Sequence, residues 1–100
     1  MLNKDKLCLI ETYGDSMEPT LNNNDLLLVD MRQNELNKDG IYVIQYNGHL
    51  LVKRIQAKLD GTVIIRSDNA LYEPETLSSN EDHSLTIIGE VVWYDRAIAW

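Results

Sequence analysis

Phenylalanine is missing from this sequence of 100 residues, cysteine occurs once and proline twice. Without Phe, the core must be filled by aliphatic side chains. A single cysteine excludes an internal disulfide and a cysteine-based zinc site. Cys8 sits in Leu7-Cys8-Leu9-Ile10, where a small buried hydrophobe is the expected role. Basic residues are also scarce, 9 against 16 acidic ones, for a net charge of −7. Duplex DNA is normally met by clusters of Lys and Arg, so these residues are not expected to bind DNA directly. No apolar run approaches the roughly 20 residues of a membrane span, and Met1 to Lys6 lacks the apolar region of a signal peptide. A cytoplasmic protein with no membrane partner and no cofactor is expected.

Long helical periodicity is absent too, apart from one short turn at Met17-Glu18-Pro19-Thr20. What is present is strand and turn. Apolar residues make up 44% of the chain, enough for one domain around one core. Asn47-Gly48 separates Ile41–Tyr46 from His49–Ile55, both rich in β-branched and aliphatic residues. Asn-Gly tolerates the positive φ angles of a type I′ turn, so a tight two-residue hairpin is expected. Asp60-Gly61 makes a second turn before Thr62–Ser67, which completes a three-stranded meander. Leu26–Asp30 and Leu85–Tyr94 read as further strands, and residues 7–12 as another. Residues 69–84 read as a loop. The fold class is therefore mainly β, with little helix.

Strict alternation along Leu85–Tyr94 places Ile88 and Val92 on one face, and Ile87, Val91 and Trp93 on the other. One face can enter the core and leave apolar area for a partner, to which Ala97-Ile98-Ala99-Trp100 adds. Glu81, Asp82 and His83 are expected to be a solvated loop, not a metal site.

Two segments carry chemistry. Gly14-Asp15-Ser16-Met17-Glu18-Pro19-Thr20-Leu21 joins a strand to a turn. A serine there can present its hydroxyl beside free backbone N–H groups that would hold an oxyanion. The plain alternative is a surface turn or cap. The second segment is Leu51-Val52-Lys53-Arg54-Ile55, which places Lys53 on one face with Leu51 and Ile55. In a two-residue hairpin, Lys53 pairs with Tyr42 and Leu51 with Ile44. Lysine is seldom buried without a reason, although an edge lysine can reach water along its own stem.

Serine is a poor nucleophile until a base takes its proton. Neutral lysine can be that base, but a free amine with a pKa near 10.4 is neutral only about once in 2,500 at pH 7. Desolvation lowers that pKa, and an apolar strand face is where it would happen. Ser–Lys pairs are a known variant of the serine nucleophile arrangement. His49 adjoins the hairpin turn and His83 lies in the acidic loop, so neither offers a convincing rival.

The two segments resemble the serine and lysine motifs of LexA-like, phage-repressor-type self-cleaving repressors, and Lys53 follows Ser16 by 37 residues. Arg66-Ser67-Asp68-Asn69 with Tyr72 and Pro74, and Ile87–Trp93, resemble other segments of that family. The resemblance runs roughly from residue 9 to residue 96. It implies a LexA C-terminal-like β fold of twisted antiparallel sheets and hairpins. It further implies one Ser–Lys autoproteolysis and dimerisation domain over residues 1–100. Ser16 would be the nucleophile, Lys53 the general base, and the N–H groups of Asp15 and Ser16 the oxyanion donors. In the family the scissile bond is an upstream Ala-Gly or Cys-Gly, in a linker after a helix-turn-helix domain. Neither dipeptide precedes Ser16 here. The expectation is a fragment of a longer repressor, or a member that lost those parts. DNA would be met only through that other domain, the domain itself would form a homodimer, and a RecA filament on single-stranded DNA would induce cleavage. Two rival readings remain. A type I signal peptidase resembles the same two motifs, and a non-catalytic dimerisation module would keep the fold without the chemistry.

Overall fold

The computed structural model describes residues 6–36, 38–78 and 85–95. Seven strands form one sheet: β1 (Leu7–Glu11), β2 (Leu26–Asp30), β3 (Gly40–Tyr46), β4 (His49–Ala57), β5 (Val63–Arg66), β6 (Glu75–Leu77) and β7 (Leu85–Asp95). Their order is β1-β2-β7-β3-β4-β5-β6, and every pairing is antiparallel. No α-helix occurs among the described residues, and Met17–Thr20 is part of a run of turns. The mainly β expectation therefore holds.

The hairpin sets the register of the lysine strand. Asn47 and Gly48 have φ of 49° and 82°, the signs that a type I′ turn requires. The register runs Ile44↔Leu51 and Tyr42↔Lys53, as the two-residue loop predicts. After the second turn, Val63–Arg66 pairs with Arg54–Ala57.

β3 is buried on both sides, which explains its unbroken run Ile41-Tyr42-Val43-Ile44. Ile41 and Val43 join Met17, Leu21, Leu27 and Val29 in one cluster. Tyr42 and Ile44 join Ile55, Ile65 and Leu77 in the other. The first cluster carries the turn that contains Ser16, while the second lies on the Lys53 side of β4.

Three features depart from the sequence expectations. Residues 75–77 form β6, a strand inside the expected loop, because Leu77 packs beside Tyr42, Ile44, Ile55 and Ile65. Cys8 is exposed, on β1, which among the described strands is at the edge of the sheet and pairs only with β2. β7 also breaks strict alternation. Its register shifts between Val43 and Ile44 of β3, and again between Leu28 and Val29 of β2. A bulge of this kind inserts a residue and swaps the faces beyond it. Ile88 and Val91 consequently pack in the same cluster, while Trp93 pairs with Leu28 on the opposite face from Val91 and Val29. Residues 79–84, with Glu81, Asp82 and His83, and the segment 96–100 lie outside the described residues.

Gly89 lies where β7 leaves no room for a side chain against β2. A Cβ there would lie 2.7 Å from Val29 Cγ1 and 2.8 Å from the Asp30 carbonyl oxygen. The second contact is with backbone and cannot be relieved by a rotamer. Gly89→Ala is expected to cost about 1–3 kcal/mol, the range for forced overpacking. Urea melts check this, and an unchanged midpoint would mean that β2 and β7 separate easily.

Candidate functional site

β1 ends at Glu11 and the chain turns through Gly14, whose φ of +90° suits glycine. Asn23 Oδ1 accepts from the Gly14 N–H at 2.8 Å. Thr12 Oγ1 donates to the Asn22 carbonyl at 2.6 Å, and Asp25 Oδ2 accepts from the Asn22 N–H at 2.8 Å. This bracing holds the Ser16 turn from one side. From the other side, Met17 and Leu21 are sunk in the core, and the Leu21 N–H donates to the Met17 carbonyl at 2.9 Å. The Glu18–Pro19 peptide within the turn is cis. Ser16 therefore stands half-buried on a short bend fixed at both ends.

Lys53 comes from β4. In β4 the pairing with β5 begins only at Arg54, so among the described residues His49–Lys53 pairs with β3 alone and its outer edge has no strand partner. Ser16 and Lys53 line one cleft of about 260 Å3, together with Tyr13, Met17, Leu50 and Val52. Most of its wall is apolar. Burial pushes the Lys53 amine below its ordinary value, with Glu75 pulling the other way. Lys53 Nζ donates its hydrogen bond to Ser67 Oγ at 2.8 Å, and lies 5.7 Å from the centroid of the Tyr72 ring.

The backbone beside Ser16 is open. No described residue accepts a hydrogen bond from the Asp15 or Ser16 N–H, whereas their carbonyls are engaged. Asp15 O accepts from the Glu18 N–H and from Asn69 Nδ2, and Ser16 O from the Asn69 N–H.

A third segment, Ser67–Tyr72, ties the other two together. Ser67 takes the lysine amine. Asp68 accepts from Arg54 Nε and Nη2 at 2.7 and 2.9 Å, and from Thr20 Oγ1 at 2.6 Å. Arg54 holds the Asp68 carboxyl below the usual carboxylate range, and Asp68 raises the guanidinium in return. Asn69 clasps the backbone of Asp15 and Ser16. The Tyr72 hydroxyl donates to Asp15 Oδ1 at 2.5 Å, and that carboxylate raises the phenol. Sequence reasoning gave this segment no role at the site. Its Ser, Asp and Asn residues look like an ordinary polar turn, and only the fold lays them across Ser16 and Lys53.

Among the described residues, no three His, Cys, Asp or Glu side chains come together as a metal site would need. His49 is exposed at the hairpin end.

Comparison with known proteins fits this geometry. Residues 1–92 match the family described as Peptidase S24-like. An uncharacterised HTH-type transcriptional regulator of Haemophilus influenzae is 35% identical over 88% of this chain and 37% of its own length. The 26 kDa repressor protein of Escherichia phage HK022 is 37% identical over 84% of this chain and 35% of its own length. Repressor protein CI of Enterobacteria phage phi80 is 31% identical over 81% of this chain and 33% of its own length. The chain thus spans little more than a third of the relatives it matches.

Proposed function

This chain belongs to the Peptidase S24-like family, and on that premise we propose that it is the self-cleaving and dimerising part of a transcriptional repressor. The carrying observation is the shared cleft, lined both by the serine of a braced turn and by a lysine whose amine burial pushes below its ordinary value, although that amine's hydrogen bond goes to Ser67. Neutral Lys53 Nζ takes the proton of Ser16 Oγ. The oxygen attacks the carbonyl carbon of one peptide bond, and the oxyanion meets the N–H groups of Asp15 and Ser16. The lysine ammonium then protonates the departing amine as the C–N bond breaks, leaving an acyl ester on Ser16. Water, activated by the same lysine, hydrolyses that ester.

The substrate is a linker of the longer protein, joining this domain to a helix-turn-helix domain. The open edge of β4 suits such a peptide, because an extended segment adds to an unpaired strand by main-chain hydrogen bonds. Cutting the linker would separate DNA binding from dimerisation and lift repression in the cytoplasm. A RecA filament on single-stranded DNA is the proposed inducer. The named relatives are repressors and regulators, which favours this reading over a signal peptidase. Incubating the full-length protein and following it on a denaturing gel tests the activity. Two fragments that fail to form in Ser16→Ala are expected, and an uncut protein under inducing conditions would refute cleavage.

Dimerisation is proposed through one face of β1, β2 and β7. Leu9, Leu28 and Trp93 are cross-strand neighbours on one face, and Leu9 and Trp93 are 64% and 48% exposed. A two-fold operator calls for a two-fold protein. Sedimentation at micromolar concentration is expected to give a dimer for this chain and a monomer for Trp93→Glu. An equally tight dimer in Trp93→Glu would move the interface elsewhere.

A further inference from the structure

Proton transfer from Ser16 needs the lone pair of the Lys53 amine, not one of its N–H bonds, to face the hydroxyl. A neutral amine carries two N–H groups and one lone pair. Rotation about Cε–Nζ has three staggered settings, and the aliphatic stem has no strong preference among them. Something outside the side chain must choose.

One acceptor is placed to do so. Ser67 Oγ lies 2.8 Å from Lys53 Nζ. Ser67 is 9% exposed, and the strand before it and the residue after it are both fixed. β5 pairs with β4 up to Arg54↔Arg66, and Asp68 is held by Arg54 and Thr20. The hydroxyl is therefore a fixed, nearly buried point beside the amine. Tyr72 covers the same amine with its ring.

We propose that Ser67 is a positioning residue of the dyad, its hydroxyl accepting one N–H of Lys53 and so leaving the lone pair for Ser16. The role rests on the Ser16–Lys53 reading and assigns Ser67 no contact with the substrate. It also has an electrostatic consequence. A hydroxyl accepts more strongly from an ammonium than from a neutral amine, so Ser67 favours the charged form and partly offsets the effect of burial.

The test uses the full-length protein with its own linker, in Ser67→Ala, Ser67→Thr and Ser67→Val. Cleavage is followed at a pH where Lys53 is largely neutral, and the Lys53 side chain is titrated by NMR. Ser67→Ala is expected to slow cleavage by about tenfold to a hundredfold, the range for a misplaced catalytic group. Its Lys53 midpoint is expected to move to lower pH. Ser67→Thr restores rate and midpoint, while Ser67→Val, of the same shape without the hydroxyl, restores neither. Because Thr and Val match in volume, a packing defect would affect both alike. Unchanged cleavage in Ser67→Ala, an unmoved midpoint, or rescue by Val as good as by Thr overturns the role of Ser67 alone. Absence of cleavage in the unaltered protein overturns the dyad reading and this role with it.

Discussion

Ser16→Ala is expected to reduce cleavage by about a thousandfold or more, because loss of the nucleophile removes the covalent route. Lys53→Ala is expected to cost about a hundredfold to ten-thousandfold, the usual worth of a general base. The two losses should not add. A nucleophile without its base and a base without its nucleophile disable the same step, so the double variant should be no slower than Ser16→Ala. Neither change should unfold the protein. Ser16 is half-buried on a turn held by its neighbours, and removing Lys53 removes an amine that burial disfavours when charged. Single-turnover cleavage and urea melts on the same preparations check both halves. A Ser16→Ala variant that still cuts at the normal rate would place the nucleophile elsewhere.

Asp68→Ala should have the next largest effect, although Asp68 is given no chemical role. Its carboxylate joins β4 through Arg54 to the Ser16 turn through Thr20. Without it, the two halves of the site lose this direct ionic link and are joined only through Ser67, Asn69 and Tyr72. A displacement of about 1 Å between reacting groups can cost about a hundredfold, and a loss of that order is expected. Stability should fall by about 1–3 kcal/mol for the lost charge-assisted bonds, toward the low end because the Arg54 side chain is 41% exposed and can be hydrated. The pH dependence has a definite sign. Arg54 lowers the Asp68 carboxyl in the folded state, so its stabilisation is present above the unfolded carboxylate value. That stabilisation is lost as pH falls through the folded value. Asp68→Asn should therefore be less stable than the unaltered protein at neutral pH, with the gap closing in acid. Equal melts at neutral pH would show that the network carries no stability.

The legible parts of this chain are those fixed by local chemistry. Asn47-Gly48 dictates its turn and, through the two-residue loop, pairs Lys53 with Tyr42. The apolar run of β3 follows from burial on both sides. The motifs around Ser16 and Lys53 pointed to the family that the comparison shows. What stayed hidden depends on distant packing. β6 is three residues long and has one buried side chain, Leu77, too little for a period-2 signal. The bulges in β7 skip Ile88 against β3 and Val92 against β2, and the second turns Trp93 away from Val91 despite their spacing. Cys8 looked buried because its neighbours are apolar, but an edge strand leaves one flank open. Ser67, Asp68, Asn69 and Tyr72 were visible as residues and not as a clasp, since their partners are 14 to 57 positions away.

The central claim is that Lys53, lowered by burial, is the base for Ser16. The most direct test is the rate of self-cleavage of the full-length protein across about pH 6 to about 10, beside an NMR titration of Lys53. The rate should rise with pH as the neutral amine accumulates and then level off. Its midpoint should lie below the ordinary lysine value of about 10.4 and coincide with the titration of Lys53. A flat profile, a midpoint apart from that titration, or the same profile in Lys53→Ala would contradict the account.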